Sequence, residues 1–243
     1  MLKVDLHLHT GEDPVDRISH SASDLVDRAV ALGFHALAIT LHDSQFNDPR
    51  VFDYARERGI VLIPGVERTI EGKHVLLLNF PDEAVAAART FDDVAKLKMQ
   101  SGGIVIAPHP FFPDKSCLRS RLDAHADLFD AIEWSYFWTR AANFNARAER
   151  WAREHGKAIV GNSDLHDLRQ LGRTYSTIDA APDPAAICAA IRDGRVVHHT
   201  APVPLLELVD VFARMTLRSR KQPIMEHEVR APRRAVAGPG AVA

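Results

Sequence analysis

Residues 3–10, Lys3-Val4-Asp5-Leu6-His7-Leu8-His9-Thr10, alternate without a break, with Val4, Leu6 and Leu8 at one parity and Asp5, His7 and His9 at the other. Period-two alternation marks a β-strand with two unlike faces. Short apolar runs recur at residues 4–9, 36–40, 60–63, 74–80, 104–107, 131–134, 158–160 and 175–178, each bounded by turn residues. Amphipathic stretches lie between them. One opens after a cap at Ser21 or Ser23 and stops at Gly33, and those at 52–59, 91–102, 139–156 and 184–194 each close on a glycine. Runs such as Val75-Leu76-Leu77-Leu78 are apolar at both parities, which suits strands of a parallel sheet covered on both sides. Strand and helix alternating about seven times predicts an α/β barrel or an open doubly wound sheet.

The pattern changes near residue 200. Residues 205–215 read as one more amphipathic helix, and Arg214, Arg218, Arg220 and Lys221 lead into a tail rich in Ala, Pro, Gly and Arg. Such a tail has little to bury and is expected to be flexible. The chain therefore divides into a barrel at 1–202 and a C-terminal helix and tail at 203–243.

Composition narrows the function classes. A length of 243 residues suits a single α/β barrel domain, and a net charge of −2 gives no global electrostatic case for nucleic acid or a membrane. Cys117 and Cys188 have no metal-site spacing, and there is no leader or spanning run, so a soluble, cytoplasmic protein is expected. The thirteen histidines are the one oddity, and their placement is what matters.

In a parallel barrel, chemistry sits at the C-terminal ends of strands. Those positions read His7 and His9, then His42-Asp43, Glu67, Pro108-His109-Pro110 and Asn162-Ser163-Asp164-Leu165-His166, while His74 opens the fourth run. Burying such groups unpaired costs several kcal/mol each, so they call for partners, and divalent cations are the economical ones. Imidazole and carboxylate without thiolate favour zinc, manganese or iron.

D-L-H-x-H-T at 5–10, I-T-x-H-D at 39–43, G-V-E at 65–67, A-P-H-P at 107–110 and S-D-x-H at 163–166 occur in the order found in the PHP (polymerase and histidinol phosphatase) family, which this chain resembles over residues 1–200. The resemblance implies a distorted (β/α)7 TIM-like barrel whose mouth holds two or three divalent metal ions and hydrolyses phosphate esters. It implies ligands at His7, His9, His42, Glu67, His74, His109, Asp164 and His166, with Glu67 bridging two ions. A further ligand follows the H-x-H pair in relatives; here Asp13 and Asp16 compete for it, Asp13 standing nearer the usual offset, with His20 a weaker third. Glu67, Asp164 and His166 are the residues closest to catalysis, and Arg17 and Arg173 are candidates to hold the phosphate.

One departure stands out. Relatives read T-D-H where this chain has Thr40-Leu41-His42, which removes an acid that would orient the imidazole, so either affinity at one metal site falls or Asp43 takes the role. Trp134, Tyr136, Phe137 and Trp138 form an aromatic cluster, expected as core or pocket wall, where Tyr136 or Trp138 at the mouth would stack on a substrate ring. His35, His125, His155, His198, His199 and His227 read as structural or solvated. The leading expectation is a metal-dependent phosphoesterase acting on a small phosphorylated metabolite, a nucleotide or an oligonucleotide end. The alternative is a non-catalytic, metal-stabilised module that binds RNA through the basic segment 214–221. Carbon–nitrogen hydrolysis in the amidohydrolase manner is disfavoured, since no lysine stands at an equivalent strand mouth.

Overall fold

A computed structural model describes residues 1–218; the expected tail, with Arg220, Lys221 and His227, lies outside the described residues. Nine strands form one sheet in the order β7-β6-β5-β4-β3-β2-β1-β8-β9. They are β1 Leu2–Leu8, β2 Ala36–Ile39, β3 Val61–Ile70, β4 Lys73–Leu78, β5 Ile104–Ala107, β6 Ala131–Ser135, β7 Ala158–Asn162, β8 Tyr175–Ile178 and β9 Val196–His199. The helices are α1 Ala22–Ala31, α2 Pro49–Glu57, α3 Asp82–Ala87, α4 Phe91–Gln100, α5 Ser120–Ala124, α6 Asn145–Glu154, α7 Pro184–Arg192 and α8 Leu205–Arg218. The sheet curls into a nearly closed barrel: Leu8 bridges Leu165 just past β7, and Leu6 N donates to Asn162 Oδ1 at 3.1 Å. Where β7 passes β8, a Cβ on Gly161 would stand 2.8 Å from the Tyr175 carbonyl oxygen, so only glycine allows this approach.

The β1–β2, β2–β3, β5–β6 and β6–β7 pairs are parallel, as the strand-helix alternation implies. β4 is not. It follows β3 through a two-residue turn, Glu71-Gly72, both at positive φ, and runs antiparallel to β3 and β5. Its apolar residues are buried at both parities all the same, because the barrel interior lies on one side and α4 on the other. β9 is a strand that the run of apolar residues did not signal, since Val196-Val197-His198-His199 is short and half-exposed. It extends the sheet by pairing antiparallel with β8.

β1 also departs from simple alternation. Its register against β2 shifts between Asp5 and Leu8. Val4 and Leu6 pack with Ala36, Ala38 and Leu76, whereas Leu8 packs with Leu25, Val26 and Val51 under α1 and α2. An irregularity of this kind re-aims the side chains that follow it. α1 starts from a reciprocal capping box between Ser21 and Asp24, which fixes where the β1–α1 loop ends. α8 lies against the aromatic segment after β6, with Val211 and Leu208 packed on Tyr136 and Phe137. The Tyr136 hydroxyl donates to Glu207 on α8 at 3.0 Å.

Candidate metal centre

The end of β1 delivers His7 and His9 fully buried, their rings 5.2 Å apart. Opposite them, at the mouth end of β3, stands Glu67. Its Oε2 lies 3.3 Å from His7 Nε2, 3.4 Å from His9 Nε2 and 3.2 Å from His42 Nε2. Its Oε1 lies 2.7 Å from His74 Nδ1 and 3.2 Å from His109 Nε2. Five imidazoles thus ring one carboxylate. Asp164 Oδ1 adds a second anion, 3.4 Å from His7 Nε2 and 3.5 Å from His9 Nε2. His74 reaches the mouth from the start of its strand because β4 runs backwards relative to its parallel neighbours. His166 closes the ring with its Nε2 3.0 Å from Asp16 Oδ2.

The opposite ring nitrogens are tied down. His7 Nδ1 is 2.7 Å from Glu133 Oε2, and His9 Nδ1 and His42 Nδ1 are 2.9 and 3.1 Å from Asp13 Oδ2. His166 Nδ1 is 2.9 Å from the Asp164 carbonyl oxygen, and His109 Nδ1 is 3.3 Å from Cys117 Sγ. With Nδ1–H donating rearwards, Nε2 presents its lone pair to the centre, the tautomer a metal requires.

That arrangement is unbalanced as it stands. His7 Nε2 and His9 Nε2 are buried without a hydrogen-bond partner. Burial works against a charged His7, yet Asp164, Glu133 and Glu67 together outweigh it and push its pKa up to about 10. His9 is raised well above its ordinary value in the same way, burial being overcome by Asp13, Asp164 and Glu67. Burial favours a neutral Glu67, but His7, His109 and His74 hold its carboxyl well below the usual range. The acids therefore demand positive charge, which either protons on the imidazoles or metal cations would satisfy. Donor atoms around a tetrahedral zinc ion, each at ~2.1 Å, stand roughly 3.4 Å apart, and the His7 and His9 contacts with Glu67 and Asp164 span 3.3 to 3.5 Å. The compact donor groups are His7-His9-Glu67, His7-His109-Asp164, His9-Asp164-His166, His42-Glu67-His74 and His9-Asp13-His42. The residues present fit divalent ions.

The structure separates the two acids that follow the H-x-H pair. Asp13 stands behind the imidazoles: its Oδ2 also accepts from His42 N at 3.0 Å, and its Oδ1 accepts from Val15 N and Asp16 N. Asp16 lines the open cleft with His42 and His166, its Oδ2 also 3.7 Å from His42 Nδ1. Asp13 thus supplies the orienting acid that Leu41 lacks, while Leu41 is buried in the apolar layer under α1 and α2. Asp43 does not take that role. Its Oδ1 instead accepts from Arg68 Nη1 at 2.8 Å and from Thr69 N at 2.7 Å. His20 is buried and its Nε2 donates to the His9 carbonyl oxygen at 3.0 Å, so it fixes backbone rather than facing the cluster.

The two arginines fare differently. Arg17 is exposed beside Asp16 and His166. Arg173 is engaged elsewhere, pairing with Glu207 at 2.8 Å and with the Pro202 carbonyl at 3.3 Å. Trp134 stacks on His198 at 5.1 Å, and Trp138 Nε1 donates to Thr200, so the tryptophans brace β9 and the chain after it. Of the aromatic cluster it is Phe137 that borders the cleft, together with Phe112. His125 and His155 stack on Phe91 and Trp151, and His35 Nδ1 accepts from Lys3 N.

Several supporting groups escaped the strand-end reading. Glu133, fully buried, accepts from His7, from Asn162 Nδ2 at 3.1 Å and from His109 N at 3.3 Å. Gln170 Oε1 accepts from His166 N at 2.8 Å and Asp167 N at 2.9 Å. Asp5 accepts from Ser163 N at 3.1 Å, and burial pushes its carboxyl up to about 7. The available signal was a lone acid inside an apolar strand, Ala131-Ile132-Glu133-Trp134. His109 and Asp164 sit at φ 29° and 46°, a region non-glycine residues avoid and which concentrates at functional sites.

Comparison with known proteins agrees with this geometry. A PHP domain model matches residues 5–108 and a PHP-associated model matches 142–196. None of the curated proteins matches the sequence. Among solved structures, a two-domain protein from Bacteroides vulgatus containing a predicted PHP-like metal-dependent phosphoesterase is 21% identical, covering 88% of this chain and 69% of that one with a TM-score of 0.64. PsfC from Pseudomonas syringae is 17% identical over 89% of this chain and 97% of its own, with a TM-score of 0.60. The lesion-specific endonuclease PfuEndoQ from Pyrococcus furiosus is 16% identical over 87% of this chain and 66% of its own, with a TM-score of 0.57.

Proposed function

The chain belongs to the PHP family, and from that premise we propose that it hydrolyses phosphate esters with two or three divalent ions of zinc, manganese or iron. The observation that carries the reading is the pair of buried imidazole nitrogens, His7 Nε2 and His9 Nε2, that face the Glu67 and Asp164 carboxylates without a hydrogen-bond partner. His7, His9 and Glu67 would hold one ion, His42, Glu67 and His74 a second, and His9, Asp164 and His166, with Asp16 beside His166, a third. Ions held there would neutralise the phosphoryl oxygens and lower the pKa of an attacking water.

The chain's own residues set the stage for that step. Glu133 and Asp13 hold the imidazole tautomers, and Glu67 joins two donor groups through its two oxygens. Asp164 and His166 line the open cleft, and either could move a proton to the leaving oxygen only while it is not bound to an ion. Arg17 is the cation placed to approach the phosphoryl group from the Asp16 side. The chemistry belongs to residues 1–202, against which α8 is folded. Substrates in this reading are small phosphorylated molecules, nucleotides or nucleic-acid ends, and the endonuclease among the neighbours puts phosphodiesters on the same panel.

The test is turnover of p-nitrophenyl phosphate, nucleoside monophosphates and short oligonucleotides by metal-loaded protein. Activity should vanish in chelator and in Glu67→Ala or His109→Ala. Absence of metal-dependent turnover across the whole panel overturns the reading.

A further inference from the structure

The walls of the cleft bear on the leaving group, on the premise that the site is a phosphoesterase. The cleft has a volume of about 350 Å³, and its floor is the donor cluster. Its rim is uneven. Phe112 and Phe137 belong to one hydrophobic cluster, and Asp16 and His166 line the cleft with them. The Phe112 ring is half-buried and lies edge-on to His109, 6.3 Å away at 76°, so it borders an imidazole of the cluster directly. Phe137 is backed by Tyr136, Val203 and Val211, which makes its position a consequence of how α8 docks. Among the described residues no Lys or Arg lines this cleft directly, and Asp114 stands on the rim near Phe112. Cations stand close behind the rim: the Arg119 guanidinium donates to the Phe112 carbonyl oxygen at 3.2 Å, and Arg17 and Arg214 line a small adjoining space that shares Asp16 and His166 with the cleft.

We propose that Phe112 and Phe137 form the leaving-group wall of the site, and that the preferred substrate is a phosphomonoester of a flat aromatic or heteroaromatic group. The donor cluster takes the single phosphoryl group. A planar ring then lies along the aromatic rim, where dispersion and quadrupole contacts favour it over a hydrated polyol. The volume suits a ligand of mononucleotide size or smaller.

The experiment compares kcat/KM for phenyl phosphate and glycerol 2-phosphate on metal-loaded protein. In parallel, calorimetry measures binding of benzylphosphonate and methylphosphonate, which are not turned over. Wild-type protein should favour the aromatic member of each pair by about tenfold or more. Phe112→Ala should collapse both ratios toward one, acting through KM for phenyl phosphate. Phe112→Leu, which keeps apolar volume but not the flat face, should fall between, and it guards against a fold defect in the alanine variant. Equal handling of the two members of each pair by wild type, or ratios unchanged in Phe112→Ala, overturns the leaving-group wall while leaving the phosphoesterase intact. If no ester turns over and neither phosphonate binds, the phosphoesterase reading itself falls, and this inference with it.

Discussion

Replacing Glu133 with Gln changes one atom's chemistry in a fully buried place and should cost metal affinity rather than the fold. Three donors surround the carboxylate: His7 Nδ1 at 2.7 Å, Asn162 Nδ2 at 3.1 Å and His109 N at 3.3 Å. A glutamine has one acceptor oxygen, so its NH2 must face a donor whichever way it turns. With the oxygen kept on His7 and Asn162, the amide opposes His109 N–H, and a buried donor left unmade costs about 1–3 kcal/mol. The His7 contact also loses its charge assistance, roughly half its strength. Removing the acid that orients a metal-binding imidazole typically weakens the metal by 10–100-fold, or about 1.4–2.8 kcal/mol. The assay is competition with a chelator of known affinity, read by metal content per chain, with circular dichroism to confirm the fold. The reasoning is refuted if Glu133→Gln holds the same number of ions with the wild-type affinity.

Four further outcomes follow from the same geometry. Asp16→Asn should lower the number of bound ions with little change in Tm of the metal-free protein, whereas Asp13→Asn, which disturbs five hydrogen bonds, should lower that Tm; the reverse pattern would make Asp13 the ligand. Chelation should lower Tm of wild-type protein: metal at a hundred times Kd contributes about 2.7 kcal/mol, or roughly 5–11 °C at this size, and identical melting with and without metal would count against a site built for cations. Arg173→Ala should cost up to about 1 kcal/mol from the half-buried pair with Glu207 and leave KM for phosphoesters unchanged; a severalfold rise in KM would return Arg173 to the phosphate. Cys188, whose thiol burial pushes up to about 12, should resist iodoacetamide at pH 8 until the chain is unfolded, and peptide mapping of native protein finding it labelled at the unfolded rate would contradict its burial.

The parts that could be read from the residues are those where one local rule suffices. Alternation marked β1, apolar runs marked the other strands except β9, and strand ends marked most of the cluster, because a parallel barrel sends those ends to one mouth. The reading failed where distant pairing decides. Nothing in Lys73-His74-Val75 says that β4 runs backwards; the turn Glu71-Gly72 does. That reversal alone explains why a histidine at a strand's start belongs with histidines at strand ends. In β1, a register shift splits Val4 and Leu6 from Leu8, and no pattern of apolar residues announces it.

The chain alone left Asp13 and Asp16 both open for a related reason. Offset along the chain favours Asp13, but what matters is which side of the imidazole an acid meets. An acid that meets Nδ1 fixes a tautomer, and one that meets Nε2 competes for, or shares, whatever the ring binds. Asp13 meets His9 and His42 at Nδ1, and Asp16 meets His166 at Nε2. The same criterion sorts Glu133, at His7 Nδ1, from Glu67, at His7 Nε2. Read this way, the substitution of Leu41 for the family's acid is no sign of decay. His42 keeps an orienting carboxylate, supplied by Asp13 from the loop after β1, and that same oxygen serves His9 as well. One acid holding two imidazoles couples their positions, so a loss at Asp13 should move both donor groups together, whereas loss of Glu133 acts on His7 and, through its backbone contact, on His109.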